Sequence, residues 1–136
     1  MKRLIVTIIM LISAASCTTV NVNKVNSSKY QMAAVCIEKN PKVWVADFLA
    51  VLEAGFIRHG IETEIYEGVT PTHCEYIVTY IAGRSWDITP FMNHAELRLT
   101  RNRKTIGTAT YKHGGGFGLN KWASTETKMT PVIDEL

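Results

Sequence analysis

Runs and alternations of apolar residues divide the chain into segments that predict strands and helices. Residues 32–37 form a continuous apolar run bounded by polar residues, which is typical of a central strand buried on both faces. Apolar side chains then recur every three or four residues, and this period predicts a helix over 41–59. Asn40 suits the N-cap of that helix, and Pro41 suits its first position.

Four further strands are expected after this helix. Residues 61–67 alternate in polarity, as in a half-exposed strand, and residues 75–82 are strongly apolar. Residues 95–100 alternate between Ala or Leu and polar residues, which predicts an amphipathic strand. A polar hairpin turn over 101–104 then leads to a fifth strand over 105–111.

The patterns are less regular on either side of this region. Residues 18–29 are rich in Asn, Ser, Thr and Val without a clear period, so we expect residues 17–30 to form a flexible tether. Residues 113–118 are Gly-rich and predict a connection. A last helical stretch begins near Asn120, and Pro131 is expected to interrupt it and to begin a short final helix.

The order β-α-β-β-β-β-α predicts one α/β (α+β) domain over residues 31–136. A strand–helix–strand unit is normally a right-handed parallel crossover, whereas short connections join antiparallel strands. The expected architecture is a two-layer sandwich, in which a mixed five-stranded sheet carries two helices on one face. The third strand is expected to run in the opposite direction to the first. This order resembles small two-layer envelope domains such as the amino-terminal domain of TolB.

The first residues have the three parts of a secretory signal peptide. Lys2 and Arg3 supply positive charge, residues 4–12 are apolar apart from Thr7, and small residues follow. The apolar run is about half as long as a segment that spans a bilayer, so we expect no transmembrane helix from it.

The segment 14–17, of sequence AASC, resembles the lipobox of bacterial lipoproteins, although that family usually has Leu at the position of Ala14. The resemblance implies that residues 1–16 are removed, that diacylglycerol is attached to Cys17, and that the new amino terminus is acylated. Thr18 after the cysteine resembles the pattern that sorts lipoproteins to the outer membrane, where the domain would face the periplasm. The alternative is an ordinary signal peptide with a cysteine near its end.

Length and charge limit the size of the domain and the kinds of partner that it is expected to bind. Removal of residues 1–16 from the 136-residue chain leaves 120 residues, a size that suits a single core. The formal charge falls from +3 to +1 once Lys2 and Arg3 are removed. A nearly neutral domain offers no electrostatic attraction for nucleic acid, so we expect none as a partner.

The chain has three cysteines, and lipidation of Cys17 would leave Cys36 and Cys74. Exported proteins enter an oxidising compartment, where paired thiols tend to form disulfides. If the third strand returns antiparallel, the end of the first strand and the start of the third share one edge of the sheet. If those strands are also neighbours, Cys36 and Cys74 come within bonding reach. Such a bond would contribute about 4 kcal/mol on the chain-entropy model. The alternative is two buried free thiols.

Two segments resemble parts of an esterase site, but their arrangement argues against catalysis. Residues 113–117 (HGGGF) match the oxyanion segment of esterases, and residues 83–87 (GRSWD) nearly match a nucleophile elbow. Asp87 replaces the second glycine of the elbow, Ser85 is followed by a strand instead of a helix, and the oxyanion segment follows the serine instead of preceding it. We therefore expect no enzymatic activity and assign no catalytic residue.

The four histidines have no local metal-ligand spacing. None lies three or four residues from another histidine or from a cysteine pair. His73 precedes Cys74, but a metal there would compete with the disulfide. We therefore assign no metal site and no cofactor.

Arg84, Trp86 and Trp122 form the candidate interaction surface. Exposed tryptophan beside arginine is the usual chemistry of a protein contact. The alternative is that both tryptophans belong to the core or rim of a small domain.

Several segments together carry a resemblance to a known family: CIE (36–38), NPKV (40–43), RHGI (58–61), CEY (74–76), RSWD (84–87), HAELRL (94–99), KW (121–122) and PVIDEL (131–136). They resemble a family of small gammaproteobacterial outer-membrane lipoproteins with no established activity. The resemblance spans nearly the whole mature chain. It implies a location and a fold but no catalytic residues, and it favours pairing of Cys36 with Cys74.

These observations predict a membrane-anchored, non-catalytic envelope lipoprotein that contacts another envelope protein or a cell-wall component. The alternative is a small-ligand binding domain at the outer membrane. In that case the loop over 113–120 would flank a pocket lined by Tyr80, Trp86 and Phe117.

Overall fold

The computed structural model describes residues 17–115 and 118–136. The predicted signal peptide, residues 1–16, lies outside them, as do Gly116 and Phe117. Within the described part of the chain, no helix is long and apolar enough to cross a membrane. The elements are β1 (Thr18–Asn23), β2 (Ala34–Glu38), α1 (Phe48–Arg58), β3 (Glu62–Tyr66), β4 (Tyr76–Asp87), β5 (Thr89–Arg101), β6 (Lys104–His113), a 3₁₀ helix (Leu119–Trp122) and α2 (Thr125–Glu135).

The predicted mixed α+β class is confirmed, with one sheet and two α-helices in the described part of the chain. The sheet has six strands in the order β1-β6-β5-β4-β2-β3, so the prediction of five strands is wrong by one. β2 pairs in parallel with both β3 and β4, and the remaining pairs are antiparallel.

The additional strand is β1, which occupies part of the predicted tether. It pairs antiparallel with β6, from Thr18 opposite His113 to Asn23 opposite Thr108. The pairing satisfies the backbone groups along the edge of β6, which would otherwise be open to water. Val22 also packs against the core, so the alternation of Val with Thr and Asn in this segment was a strand signal. The prediction of a flexible tether is therefore wrong over β1.

Both helices cover the same face of the sheet, as predicted. Alternate residues of β4, β5 and β6 point toward the helices and are buried with them in one core. The Phe48 ring of α1 stacks on Tyr80 of β4, with 5.2 Å between the ring centroids. α1 and α2 approach closely at Gly55, where an added Cβ would lie 2.8 Å from the side chain of Ile133. The fully buried core includes Val35, Ile37, Phe48, Leu52, Val78, Leu97, Leu99, Met129 and Val132.

α1 begins seven residues later than Pro41, the predicted start. Asn40 does not cap the helix, because its side chain accepts a hydrogen bond from the Lys42 backbone at 3.0 Å and donates one to the Tyr80 carbonyl at 3.0 Å. These bonds stabilise a turn and attach it to β4. The helix starts only at Phe48, the first fully buried residue after Pro41.

α2 runs through Pro131 without a break, so the predicted interruption is wrong. Ser124 caps its amino end by accepting a hydrogen bond from the Thr127 backbone at 3.1 Å. Proline removes one hydrogen bond from the helix interior. Met129, Val132 and Ile133 on either side of it are all buried, and this packing keeps the helix continuous.

Candidate interaction surface

The hairpin between β4 and β5 projects beyond the rest of the sheet. β5 pairs with β6 only from His94 onward, opposite Lys112. Between Arg84 and Met92 the two strands of the hairpin pair only with each other. A register shift after Gly83 marks the start of this two-stranded extension.

The tip of this extension exposes large apolar side chains. Trp86 is 74% exposed and Ile88 is 77% exposed. Ile88 also has a φ of 63°, a region that β-branched residues rarely adopt. An exposed tryptophan beside an isoleucine in a strained turn is not needed for the core, so these residues are candidates for function.

The 3₁₀ helix is attached to the hairpin through Asp87. The Trp122 indole N–H donates a hydrogen bond to the Asp87 carbonyl at 3.2 Å, and Lys121 forms an ion pair with the Asp87 carboxylate. The Lys121 ammonium also lies 4.9 Å from the centre of the Phe91 ring and 5.5 Å from that of Trp122. Trp122 is therefore attached to Asp87, the residue that follows Trp86 at the tip of the hairpin.

Arg84 and Trp122 line a shallow groove of about 280 Å³, together with Trp44. Trp44 is itself 72% exposed. The structure therefore brings the predicted residues to one end of the molecule and adds Trp44 and Ile88 to them. We call these five residues the hairpin surface: Trp44, Arg84, Trp86, Ile88 and Trp122.

A buried lysine forms hydrogen bonds that stabilise this end of the molecule. Lys128 of α2 is only 5% exposed. Its ammonium donates hydrogen bonds to the Met92 carbonyl at 3.0 Å and to the Lys121 carbonyl at 2.6 Å. Burial lowers the pKa of this ammonium. Lys128 thus connects α2, the base of the hairpin and the 3₁₀ helix.

Cys17 lies at the same end of the sheet. The Gly114 backbone N–H donates a hydrogen bond to the Cys17 carbonyl oxygen at 2.6 Å, directly after the pair of Thr18 and His113. His113 ends β6, next to the residues from which the hairpin extends. Cys17 is exposed and is not part of a disulfide. The hairpin surface and Cys17 are therefore close to the same rim of the domain.

The structure gives other surroundings to the segments that resembled an esterase. Ser85 lies within β4, and its hydroxyl accepts a hydrogen bond from the Asn93 amide at 2.6 Å. His113 is buried in β6, where burial and the charges of Lys128 and Lys121 lower its pKa. A Cβ at Gly114 would lie 2.8 Å from the Cys17 carbonyl oxygen, so this glycine allows β1 to approach. The rest of the glycine segment includes Gly116 and Phe117, which lie outside the described residues.

The predicted disulfide between Cys36 and Cys74 is present, with 5.8 Å between the Cα atoms. The strand direction that was expected to produce it is wrong, because β4 runs parallel to β2. Cys36 lies opposite Ile77, near the start of β4, so the loop before β4 reaches it. Val35 and Ile37 face the helices, so Cys36 faces the other side of the sheet. The disulfide holds the β3–β4 connection on that side.

Two further polar residues lie beside this disulfide. Cys36 is opposite Glu64 in the parallel register, and His73 Nε2 lies 2.7 Å from a Glu64 carboxylate oxygen. One ligand atom from each of Cys36, Glu64, His73 and Cys74 lies within 4.8 Å of the others. The cluster could not be inferred from the sequence, because Glu64 lies on a neighbouring strand and is not close to the cysteines along the chain.

The pocket expected for a small ligand is not formed by Tyr80 and Trp86. Tyr80 is only 5% exposed, and its hydroxyl accepts a hydrogen bond from the Asn40 backbone at 3.3 Å. Trp86 projects into solvent from the hairpin. The groove that Tyr80 lines beside Asn40 does not include Trp86. Phe117, the third predicted member, lies outside the described residues.

The fold places the chain among α+β proteins with one mixed sheet covered by helices on one face. Similar structures are a PelC dodecamer from Paraburkholderia phytofirmans and a leucine-to-methionine variant of it. The variant has a TM-score of 0.54 and 11% identity, and the match covers 84% of this chain and 97% of that chain. The unaltered PelC has a TM-score of 0.53 and 11% identity, with 85% and 97% covered. At this identity the likeness concerns the fold alone. No protein-family model and no curated protein matches the sequence.

Proposed function

We propose that this protein is a non-catalytic envelope lipoprotein, anchored in the outer membrane through lipid on Cys17 and facing the periplasm. The hairpin surface binds another envelope protein or a cell-wall component. The main support for this proposal is that Trp86 is exposed on a two-stranded extension, at the end of the sheet where Cys17 lies.

The anchor is supported by the lipobox-like segment that ends at Cys17 and by the exposure of that residue. One acyl chain gives only marginal membrane binding, whereas two or more hold a protein stably. β1 begins at Thr18, so no flexible linker separates the lipid from the sheet. A domain attached in this way keeps its hairpin surface close to the membrane.

The binding role is supported by the chemistry and rigidity of the hairpin surface. Tryptophan and arginine are the residues most enriched where truncation weakens protein contacts. Trp122 and Lys121 fix the hairpin through Asp87, so the surface loses little conformational freedom when a partner binds. Trp86 and Trp122 present their rings to solvent without being needed to fill the core.

Crosslinking in cells tests this role. A photoreactive amino acid at position 86 or 122 is expected to capture a specific envelope component. Ile57 is the matched control position, because it is an exposed apolar residue (60%) near the end of α1, at the opposite end of the domain. Equal capture from position 57 would contradict a specific hairpin surface.

A small-ligand binding domain has weaker support. The groove beside Arg84 and Trp122 holds about 280 Å³, slightly less than ordinary ligand pockets of about 300–1,000 Å³. If positions 86 and 122 capture no partner while the purified protein retains a small molecule, the ligand-binding function replaces the proposed one.

A further inference from the structure

We propose that the Cys36–Cys74 pair, once reduced, forms a zinc-binding site together with His73 and Glu64. The four side chains supply two sulfurs, an imidazole nitrogen and a carboxylate oxygen. This donor set matches what Zn²⁺ takes in four-coordinate protein sites. The site is separate from the hairpin surface and does not depend on the function proposed for it.

The backbone already places the four ligands together. Cys36 and Glu64 are partners in the parallel pairing of β2 and β3, and both strands are regular there. His73 and Cys74 are adjacent in the connection before β4, and the disulfide holds that connection on the sheet. All four ligand atoms lie within 4.8 Å of one another. Two sulfurs on one tetrahedral zinc ion lie about 3.8 Å apart, which fits within that span.

A metal ion and a solvated reductant both have access to the cluster. The side chains of His73 and Glu64 are 65% and 50% exposed. An open groove of about 540 Å³ lies over the cluster and is lined by all four residues. Cys36 is buried, and Cys74 is half-buried, so Cys74 is the sulfur that an incoming thiolate reaches.

The oxidation state of the cysteines controls the site. In the disulfide each sulfur is bonded to the other, and only His73 and Glu64 remain as strong donors. A dithiol reductant transfers two electrons and two protons, so that the S–S bond breaks, Cys36 and Cys74 become thiols, and the reductant becomes a disulfide. Zinc then displaces both thiol protons as it binds the two thiolates.

Zinc and reduction should therefore favour each other. A ligand that binds only one of two states shifts the equilibrium toward that state. Zinc is expected to favour the reduced pair, and oxidation is expected to release the ion. The fold thus carries a site that takes up metal under reducing conditions and releases it under oxidising ones.

Cobalt titration tests the proposal, because tetrahedral Co²⁺ reports its ligands by absorption. The full chain carrying Cys17→Ser is used, so that Cys36 and Cys74 are its only cysteines. After reduction and removal of the reductant, we expect one Co²⁺ per chain, with sulfur-to-cobalt charge-transfer bands and tetrahedral ligand-field bands. Added Zn²⁺ should displace the cobalt, and the oxidised chain should bind none.

Single substitutions distinguish a site with four ligands from metal binding by the two cysteines alone. His73→Asn and Glu64→Gln keep both cysteines, and each should weaken cobalt binding about tenfold or more. His59→Asn is the matched control, because His59 forms a similar exposed pair with Asp134 at 2.8 Å, at a distance from the cysteines. The proposal is overturned if His73→Asn and Glu64→Gln bind cobalt as tightly as His59→Asn. It is also overturned if the reduced chain binds no cobalt, whether it stays folded or unfolds.

Discussion

The Gly114 backbone N–H donates a hydrogen bond to the Cys17 carbonyl oxygen at 2.6 Å, which joins the residue before β1 to the residue after β6. The contact is possible because Gly114 has no side chain: a Cβ there would lie 2.8 Å from that oxygen and 2.9 Å from the Cys17 Cβ. The residue proposed to carry the lipid is therefore held directly against the sheet.

Gly114→Ala should separate Cys17 and the start of β1 from β6. We expect faster amide hydrogen exchange at Thr18–Asn23 and a loss of about 1–3 kcal/mol in the free energy of unfolding, the usual effect of overpacking. Gly115→Ala is the control, because nothing lies within 4 Å of a Cβ at that glycine. Unchanged exchange in β1 of Gly114→Ala would show that the contact does not hold the strand.

Removing the disulfide by the double substitution Cys36→Ala and Cys74→Ala should lower the free energy of unfolding by about 2–4 kcal/mol. The main cause is the greater conformational freedom of the unfolded chain once the loop is open. Denaturant unfolding under non-reducing conditions measures it. Cys17→Ser is the control, because that exposed residue takes no part in the bond. A double variant as stable as this control would show that the bond contributes nothing.

Trp86→Ala should abolish partner capture from position 122 while changing the free energy of unfolding by no more than about 0.5 kcal/mol. The reason is that Trp86 projects into solvent and contributes little to the core. Phe48→Ala provides the contrast, because it removes a fully buried ring and should cost about 3–5 kcal/mol. A large loss of stability in Trp86→Ala would assign that residue to the fold.

Lys128 should make the protein more stable as pH rises toward about 10, the ordinary pKa of a lysine ammonium. Burial lowers the pKa of its ammonium in the folded state, so the unfolded chain binds more protons in this range. The free energy of unfolding then increases with pH until Lys128 is also neutral in the unfolded chain. Tyr111, whose pKa is raised by burial, has the opposite effect above about pH 10.

Denaturant unfolding at several pH values measures this dependence. Lys128→Met should lose the rise, whereas Lys112→Met, at an exposed position of β6, should keep it. A rise of equal size in Lys128→Met would assign the dependence to other groups.

The sequence predicted those parts of the fold whose residues alternate clearly. Residues 95–100 and 105–111 are strands, because Ala95, Leu97 and Leu99 face the core in turn in the first, and Ala109 and Tyr111 do so in the second. β1 was missed because a short edge strand buries little, and its polarity alone resembles that of a linker. The direction of β4 was missed because it depends on whether the connection over 67–75 returns the chain to the end of the sheet where β2 starts, and no local pattern encodes that.

In the candidate sites, too, the sequence could group residues that are close together along the chain but not residues from distant segments. Arg84 and Trp86 are two residues apart, so they were placed together from the sequence. Nothing in the sequence linked Asp87 to Trp122, yet the Trp122 indole bonds to the Asp87 carbonyl across 35 positions. Glu64 joined His73 and the cysteines only through the register of β2 and β3. Contacts between distant segments become visible only when the strand order is known.

Lipid anchoring at Cys17 can be measured by mass spectrometry of the protein isolated from bacterial membranes. We expect a mature chain that begins at Cys17 and carries diacylglycerol on its sulfur and an acyl group on its amino nitrogen. Cys17→Ser should release the protein from the membrane fraction. A chain that begins at another residue, or that begins at Cys17 without lipid, would contradict a lipid anchor at this position.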